Sequence, residues 1–154
     1  MAKDWVERHL QELNTEQQLA QREHAKLQHA LAGAERVFQR LSEQVQEDVA
    51  AFCRGIGNDF LQYYKLTEKK FRVRRPQYPS VTLEVELIST TIAYERSERF
   101  DDTQSRYHVE KGELRIWSDL AGNVQVYKNG TPFLDESEVS QHLLMPAFTY
   151  IEPK

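Results

Sequence analysis

Six cations crowd one short stretch of this chain. Lys65, Lys69, Lys70, Arg72, Arg74 and Arg75 stand against a single acid, Glu68, so the stretch carries +5 in a protein of net charge −4. Tyr63, Tyr64 and Tyr78 flank it. Cations beside aromatic rings can hold phosphates and stack on bases, or meet an acidic protein surface. The same run also guards an edge strand against pairing with another sheet. The acidic overall balance excludes a whole-surface nucleic-acid binder, so a nucleic acid or anionic ligand is the second reading of this chain.

A different chemistry surrounds two large rings, Trp117 and Tyr127. Strand alternation groups them with Arg106, His108, Arg115, Glu84, Glu86 and Gln125. Rings set among charges make a recognition face. Alternatively the two rings form a cross-strand pair, covered by a C-terminal helix through Val139, Leu143 and Leu144. Glu84, Glu86 and His108 contain the makings of an acid–base pair, although a solvated strand face with ordinary ion pairs explains them as well.

Motifs for catalysis or cofactors are missing. Gly55-Ile56-Gly57 lacks the third glycine of a dinucleotide fingerprint and follows a helix, and no phosphate loop, Gly-x-Ser-x-Gly or His-Glu-x-x-His occurs. On a helix His24 and His29 point about 140° apart and cannot share a metal. Cys53, the one cysteine, sits near a helix end, reads as a small buried group and permits no intramolecular disulfide. No catalytic residue, cofactor or metal is therefore assigned. A small enzyme or ligand-binding fold with a helix–sheet cavity is the third reading.

The elements that position these groups begin with a helix. Between Asp4 and Cys53 there is no proline and one glycine, Gly33. With Leu10 at heptad position a, the a series is Leu10, Gln17, His24, Leu31, Phe38 and Val45. The d series is Leu13, Ala20, Leu27, Ala34, Leu41 and Asp48, giving a coiled-coil-like seam with polar interruptions. Past Phe38 the apolar face widens to take in Val37, Val49, Phe52 and Ile56, as packing on a sheet requires. Thr15 and Gln18 make a candidate capping box, so a break near Asn14 is one expectation, whereas Gly33, with no other turn residue beside it, is read as tolerated inside the helix, and a break there belongs to the folded-back alternative. The helix is expected to end at Arg54-Gly55-Ile56-Gly57-Asn58, followed by a short second helix from Phe60 to Leu66.

From Phe71 the period becomes two. Strands are expected at Phe71–Arg74, Val81–Leu87, Thr91–Glu98, Ser105–Glu110, Glu113–Ser118 and Asn123–Tyr127, with hairpin turns at Lys111-Gly112 and Asn129-Gly130. Their inner face collects Val81, Leu83, Val85, Leu87, Ile92, Tyr94, Tyr107, Val109, Leu114, Ile116, Val124 and Val126. A closing helix spans Asp135 to Met145, with Pro146 beyond its end. The class is α+β: a long N-terminal amphipathic helix on an antiparallel meander of five to seven strands, with a C-terminal helix. An arm, 1–57, precedes a sheet unit, 58–154, which forms one globular body with the arm's second half.

A continuous helix from Leu10 to Val45 would be about 54 Å long, against roughly 40 Å for a compact chain of this size. Its projecting part carries Leu10, Leu13, Ala20, His24, Leu27 and Leu31 on one stripe, which needs cover. A homodimer supplies it, and His24 in that seam would make the contact pH-sensitive. The contrary expectation is a broken helix folded back within the monomer. The first functional reading is a non-enzymatic interaction module that self-associates through the helix and offers its sheet face to an unidentified protein. Met1-Ala2-Lys3-Asp4-Trp5 opens no apolar leader and no run spans a membrane, so a cytoplasmic location is expected.

Overall fold

The computed structural model describes residues 2–57, 59–77, 80–99 and 107–148. One helix, α1 (Ala2–Ile56), runs unbroken for 55 residues, about 82 Å. Behind it come β1 (Gln62–Thr67), β2 (Lys70–Arg75), β3 (Ser80–Ile88), β4 (Thr91–Arg99), β5 (Tyr107–Ser118), β6 (Val124–Lys128), β7 (Thr131–Pro132) and α2 (Glu136–Phe148). The seven strands form one antiparallel sheet in chain order. This is the α+β class expected from the change of period.

The break near Asn14 does not occur, and Gly33 lies within α1, as expected. The Thr15 hydroxyl donates back to the Gln11 carbonyl at 2.9 Å, so it serves the turn behind it instead of capping a new helix. At Gly33 a Cβ would stand 3.1 Å from Val124 Cγ2, so the missing side chain lets α1 press against β6.

Two expectations about the strands need correction. The segment 60–66 is no helix: Gln62–Thr67 is β1, paired with β2 from Gln62↔Arg74 to Thr67↔Lys70. A seven-residue apolar window does not distinguish helix from strand, and here the long-range partner decides. Tyr63 packs its ring 5.7 Å from Phe71 and hydrogen-bonds Ser42 of α1, contacts a strand can reach.

Lys111-Gly112 is no turn either. β5 runs straight through it, and Gly112 pairs with Tyr94, whose ring lies where a Cβ would be (2.3 Å). The glycine makes room for a ring. Removing that turn also flips the faces expected for the residues of β5 before it, because strand side chains alternate with period two. His108 therefore shares the helix-side parity of Leu114 and Ile116, and Val109 is exposed on the other face. Asn129 and Gly130, both at positive φ (51° and 83°), do form the expected hairpin between β6 and β7.

The core lies between one sheet face and the two helices. Phe38, Leu41, Val45 and Val49 of α1 meet Phe71, Val73, Leu83, Val85, Ile92, Leu114 and Ile116, with Val139, Leu143 and Leu144 of α2 beside them. Ile56, assigned to this stripe from the sequence, is exposed at the helix end. Asp135 caps α2 by accepting from the Glu138 amide at 3.0 Å, and the Glu138 carboxylate accepts from the Leu134 amide at 3.3 Å. α2 continues through Pro146 to Phe148 instead of stopping short of it. The proline removes one backbone bond near the helix end, a cost the buried stripe of α2 outweighs.

Candidate functional site

The stripe along the first half of α1 is an apolar feature that the described residues leave without cover. Every residue from Asp4 to Ala25 is exposed, about 33 Å of helix. Leu10 is 59% and Leu13 41% exposed, Ala20 and His24 are exposed, and Leu31 is 42% exposed. Leu27 is half-buried, because the body's grip begins there: Ser118 Oγ donates to the Lys26 carbonyl at 2.8 Å, and Ala30 is fully buried. Three further apolar side chains, Trp5, Val6 and Leu19, also face solvent in the arm. Val6 stands at position d and extends the stripe by one layer. An undistorted helix lags a seven-residue repeat by about 20° per heptad, so the stripe at Leu10 faces about 80° away from the direction in which Phe38 meets the sheet.

The outer face of the sheet is the second surface. α2 lies with α1 on the inner face, tied to it by Ser140 Oγ to Asp48 Oδ2 at 2.6 Å and by the Arg40–Glu136 ion pair at 3.2 Å. It therefore does not cover Trp117 and Tyr127, and Val139, Leu143 and Leu144 belong to the core. Trp117 is instead half-covered by Arg115, whose guanidinium stands 3.9 Å from the ring centre. Tyr127 is directly across from Arg115, and Trp117 is across from Gln125. Arg115, Trp117 and Tyr127, with Thr91, Glu113 and Asn129, line an open cleft of about 420 Å³. His108 is exposed on the opposite face, and Arg106 lies outside the described residues. The expected group of five is thus reduced to Arg115, Trp117 and Tyr127.

The basic stretch is spread over a hairpin and largely neutralised within the chain. Lys65 pairs with Glu68 at 3.1 Å, Lys69 with Glu35 at 3.3 Å, Lys70 with Glu84 and Glu86 at 3.6 and 4.0 Å, and Arg72 with Glu84 at 2.6 Å. Arg75 is buried, its guanidinium 4.5 Å from the centre of the Phe60 ring. Arg74 is exposed, without an ion pair among the described residues. The hydrogen bond from Arg72 holds the Glu84 carboxyl below its usual range, outweighing the opposite effect of burial. Glu84 is thus committed to cations, and His108 lies across the sheet from it, so no acid–base pair is assembled. Cys53 Sγ donates to the Leu61 carbonyl at 3.3 Å and accepts from its amide at 3.5 Å, fastening the chain before β1.

Sequence reasoning missed Arg96. It occupies the inner parity of β4, after Ile92 and Tyr94, and is 4% exposed. Nη1 contacts Glu110 Oε2 and Nη2 donates to the Leu143 carbonyl, each at 2.9 Å, so the guanidinium clamps α2 to the sheet. Its Nε is buried with no hydrogen-bond partner among the described residues. A cation at an apolar position of a strand was the available signal. Near it, His142 Nε2 stands 3.4 Å from Lys128 Nζ. Burial first, then the charges of Lys128 and Arg96, lower the His142 pKa.

No protein-family model, no curated protein and no solved structure matches this chain. Among the described residues, no helix is long and apolar enough to cross a membrane.

Proposed function

We propose that this protein is a non-enzymatic interaction module that pairs with a second copy of itself through the arm, Leu10 to Leu31, and presents the Arg115–Trp117–Tyr127 face to a protein partner. The observation that carries the reading is the apolar a/d stripe on an unbroken helix, left uncovered by its own chain from Asp4 to Ala25. Covering an exposed leucine is worth on the order of 1 kcal/mol, in proportion to the apolar area it takes from water, which favours a second helix over water. The polar interruptions, Gln17 and His24, weaken such a pair and select its register. The in-chain ion pairs of residues 65–75 favour the protein partner over a nucleic acid.

The test is the mass in solution as a function of concentration. A dimer is expected for the full chain, and a monomer for the double variant Leu10→Lys/Leu13→Lys, with the body's thermal unfolding unchanged in that variant. A mass that stays monomeric at all concentrations would sink the proposal. For the sheet face, Trp117→Ala should leave the fold intact, because Arg115 and not α2 covers the ring.

A further inference from the structure

We infer that the two arms pair antiparallel, in the register that sets Val6 against Leu31, Leu10 against Leu27, Leu13 against His24 and Gln17 against Ala20. This rests on the self-association proposed above and specifies its geometry. In a two-stranded antiparallel coil, a positions face d positions of the other helix. In this register each polar a residue meets an apolar d residue, so Gln17 faces Ala20 and His24 faces Leu13. A parallel pair would instead stack Gln17 on Gln17 and His24 on His24. Both large ends of the stripe then close on large side chains, Val6 with Leu31 and Leu10 with Leu27. Five large apolar residues from each copy, Val6, Leu10, Leu13, Leu27 and Leu31, leave water on pairing, four of them exposed in the single chain.

The fold itself limits the alternative. Past Leu31 the e flank of the stripe is occupied by the β1–β2 hairpin. Lys69 Nζ is 3.3 Å from Glu35 Oε1, Gln39 Nε2 donates to Glu68 Oε2 at 3.3 Å, and Ser42 bonds Tyr63. Two unbroken helices paired in parallel continue side by side beyond Leu31, and each would meet the other's hairpin there. In the antiparallel register the last layer is Val6 with Leu31, before the hairpin begins.

The flanking residues set a cost and supply a test. On the e side Asn14 approaches Gln21 and Glu7 approaches Gln28, pairs that can hydrogen-bond. On the g side Glu16 approaches Glu23 of the second copy, twice per dimer, which costs a few-fold in affinity. A parallel pair would set those glutamates beside Gln21 and Gln28. The antiparallel arrangement places the two bodies at opposite ends of a rod, with the sheets roughly 65 Å apart by helix rise. The dimer is then a bivalent spacer, offering the same sheet face at each end.

Oxidative cross-linking of the full chain, in a Cys53→Ser background, decides the orientation. Leu10→Cys and Leu27→Cys should each remain uncrosslinked alone and form a disulfide-linked dimer when mixed. Leu10→Cys crosslinking to itself overturns the antiparallel register, as does a dimer by mass that shows no crosslink in the mixture. A monomeric mass overturns the self-association beneath it, so the two failures are told apart. Independently, Glu23→Lys should tighten the dimer about tenfold by turning both Glu16 contacts attractive. An unchanged dissociation constant would count against the register.

Discussion

Two stretches of the same helix, 4–25 and 30–49, share one heptad repeat and differ in what covers it. In the second, Ala34, Phe38, Leu41 and Val45 are buried by the sheet and α2. In the first, equivalent positions hold Val6, Leu10, Leu13 and Ala20, and solvent reaches all of them. The lesson is that a heptad pattern specifies a seam without specifying what fills it. A sheet fills it where Ser118 binds the Lys26 carbonyl and Gly33 admits Val124, and those contacts come from residues some ninety positions away.

The strongest way to break this contrast is to truncate one side chain in each stretch. Phe38 is fully buried, with its ring 5.5 Å from that of Phe71. Phe38→Ala should cost about 3–5 kcal/mol of folding stability in denaturant titration, independent of protein concentration. Leu13→Ala should leave that free energy within about 0.5 kcal/mol at low concentration, where the chain is monomeric, and weaken the dimer instead. Equal losses of folding stability would mean that the arm is buried by its own chain.

A smaller effect sharpens the account of the body. Gly112→Ala places a methyl group where the Tyr94 ring stands, 2.3 Å from its nearest atoms. The ring must move from its inner position beside Ile92, at a cost of about 1–3 kcal/mol. The double variant Gly112→Ala/Tyr94→Leu should recover part of it, since leucine has no ring in that space. A neutral Gly112→Ala would mean that the Tyr94 ring does not occupy the space over Gly112.

That glycine also shows which parts of the fold were legible. Alternation over Val81–Leu87 and the Asn129-Gly130 turn were visible because the signal is local: period two for a sheet with one face buried, and positive φ for a type I′ turn. Gly112 carried the same local signal as a turn, and only its partner Tyr94, on another strand, gives its actual role. The error propagated by parity, putting His108 on the wrong face. β1 was lost because Phe60–Leu66 is short and apolar on any period. In the candidate site, the stripe Leu10–Leu31 was readable, whereas its boundary at Lys26 was not. Arg115 and Trp117 were grouped correctly, but the side of the sheet taken by α2 depends on Leu143 and Arg96, a contact across 47 residues.

The smallest expected effect separates arm from body by pH. His142, between the Tyr94 and Phe133 rings, has a lowered pKa, so the fold holds it neutral where the unfolded chain's imidazole, near 6.5, takes up a proton. The unfolded state then binds more protons, and folding stability rises with pH between the folded value and about 6.5. Glu84 acts in a separate window with the depressed-carboxylate sign: its contribution is present above about 4.5 and is lost as pH falls through its lower folded pKa. The denaturation midpoint should therefore fall modestly from pH 7.5 to 5.5, and His142→Asn should flatten that fall while leaving the loss below 4.5 in place. His24 lies in the arm, exposed and apart from the body, so His24→Asn should leave this pH response of folding unchanged. If His24→Asn abolished the pH response of folding, arm and body would be one cooperative unit, and the division drawn at Lys26 would not hold.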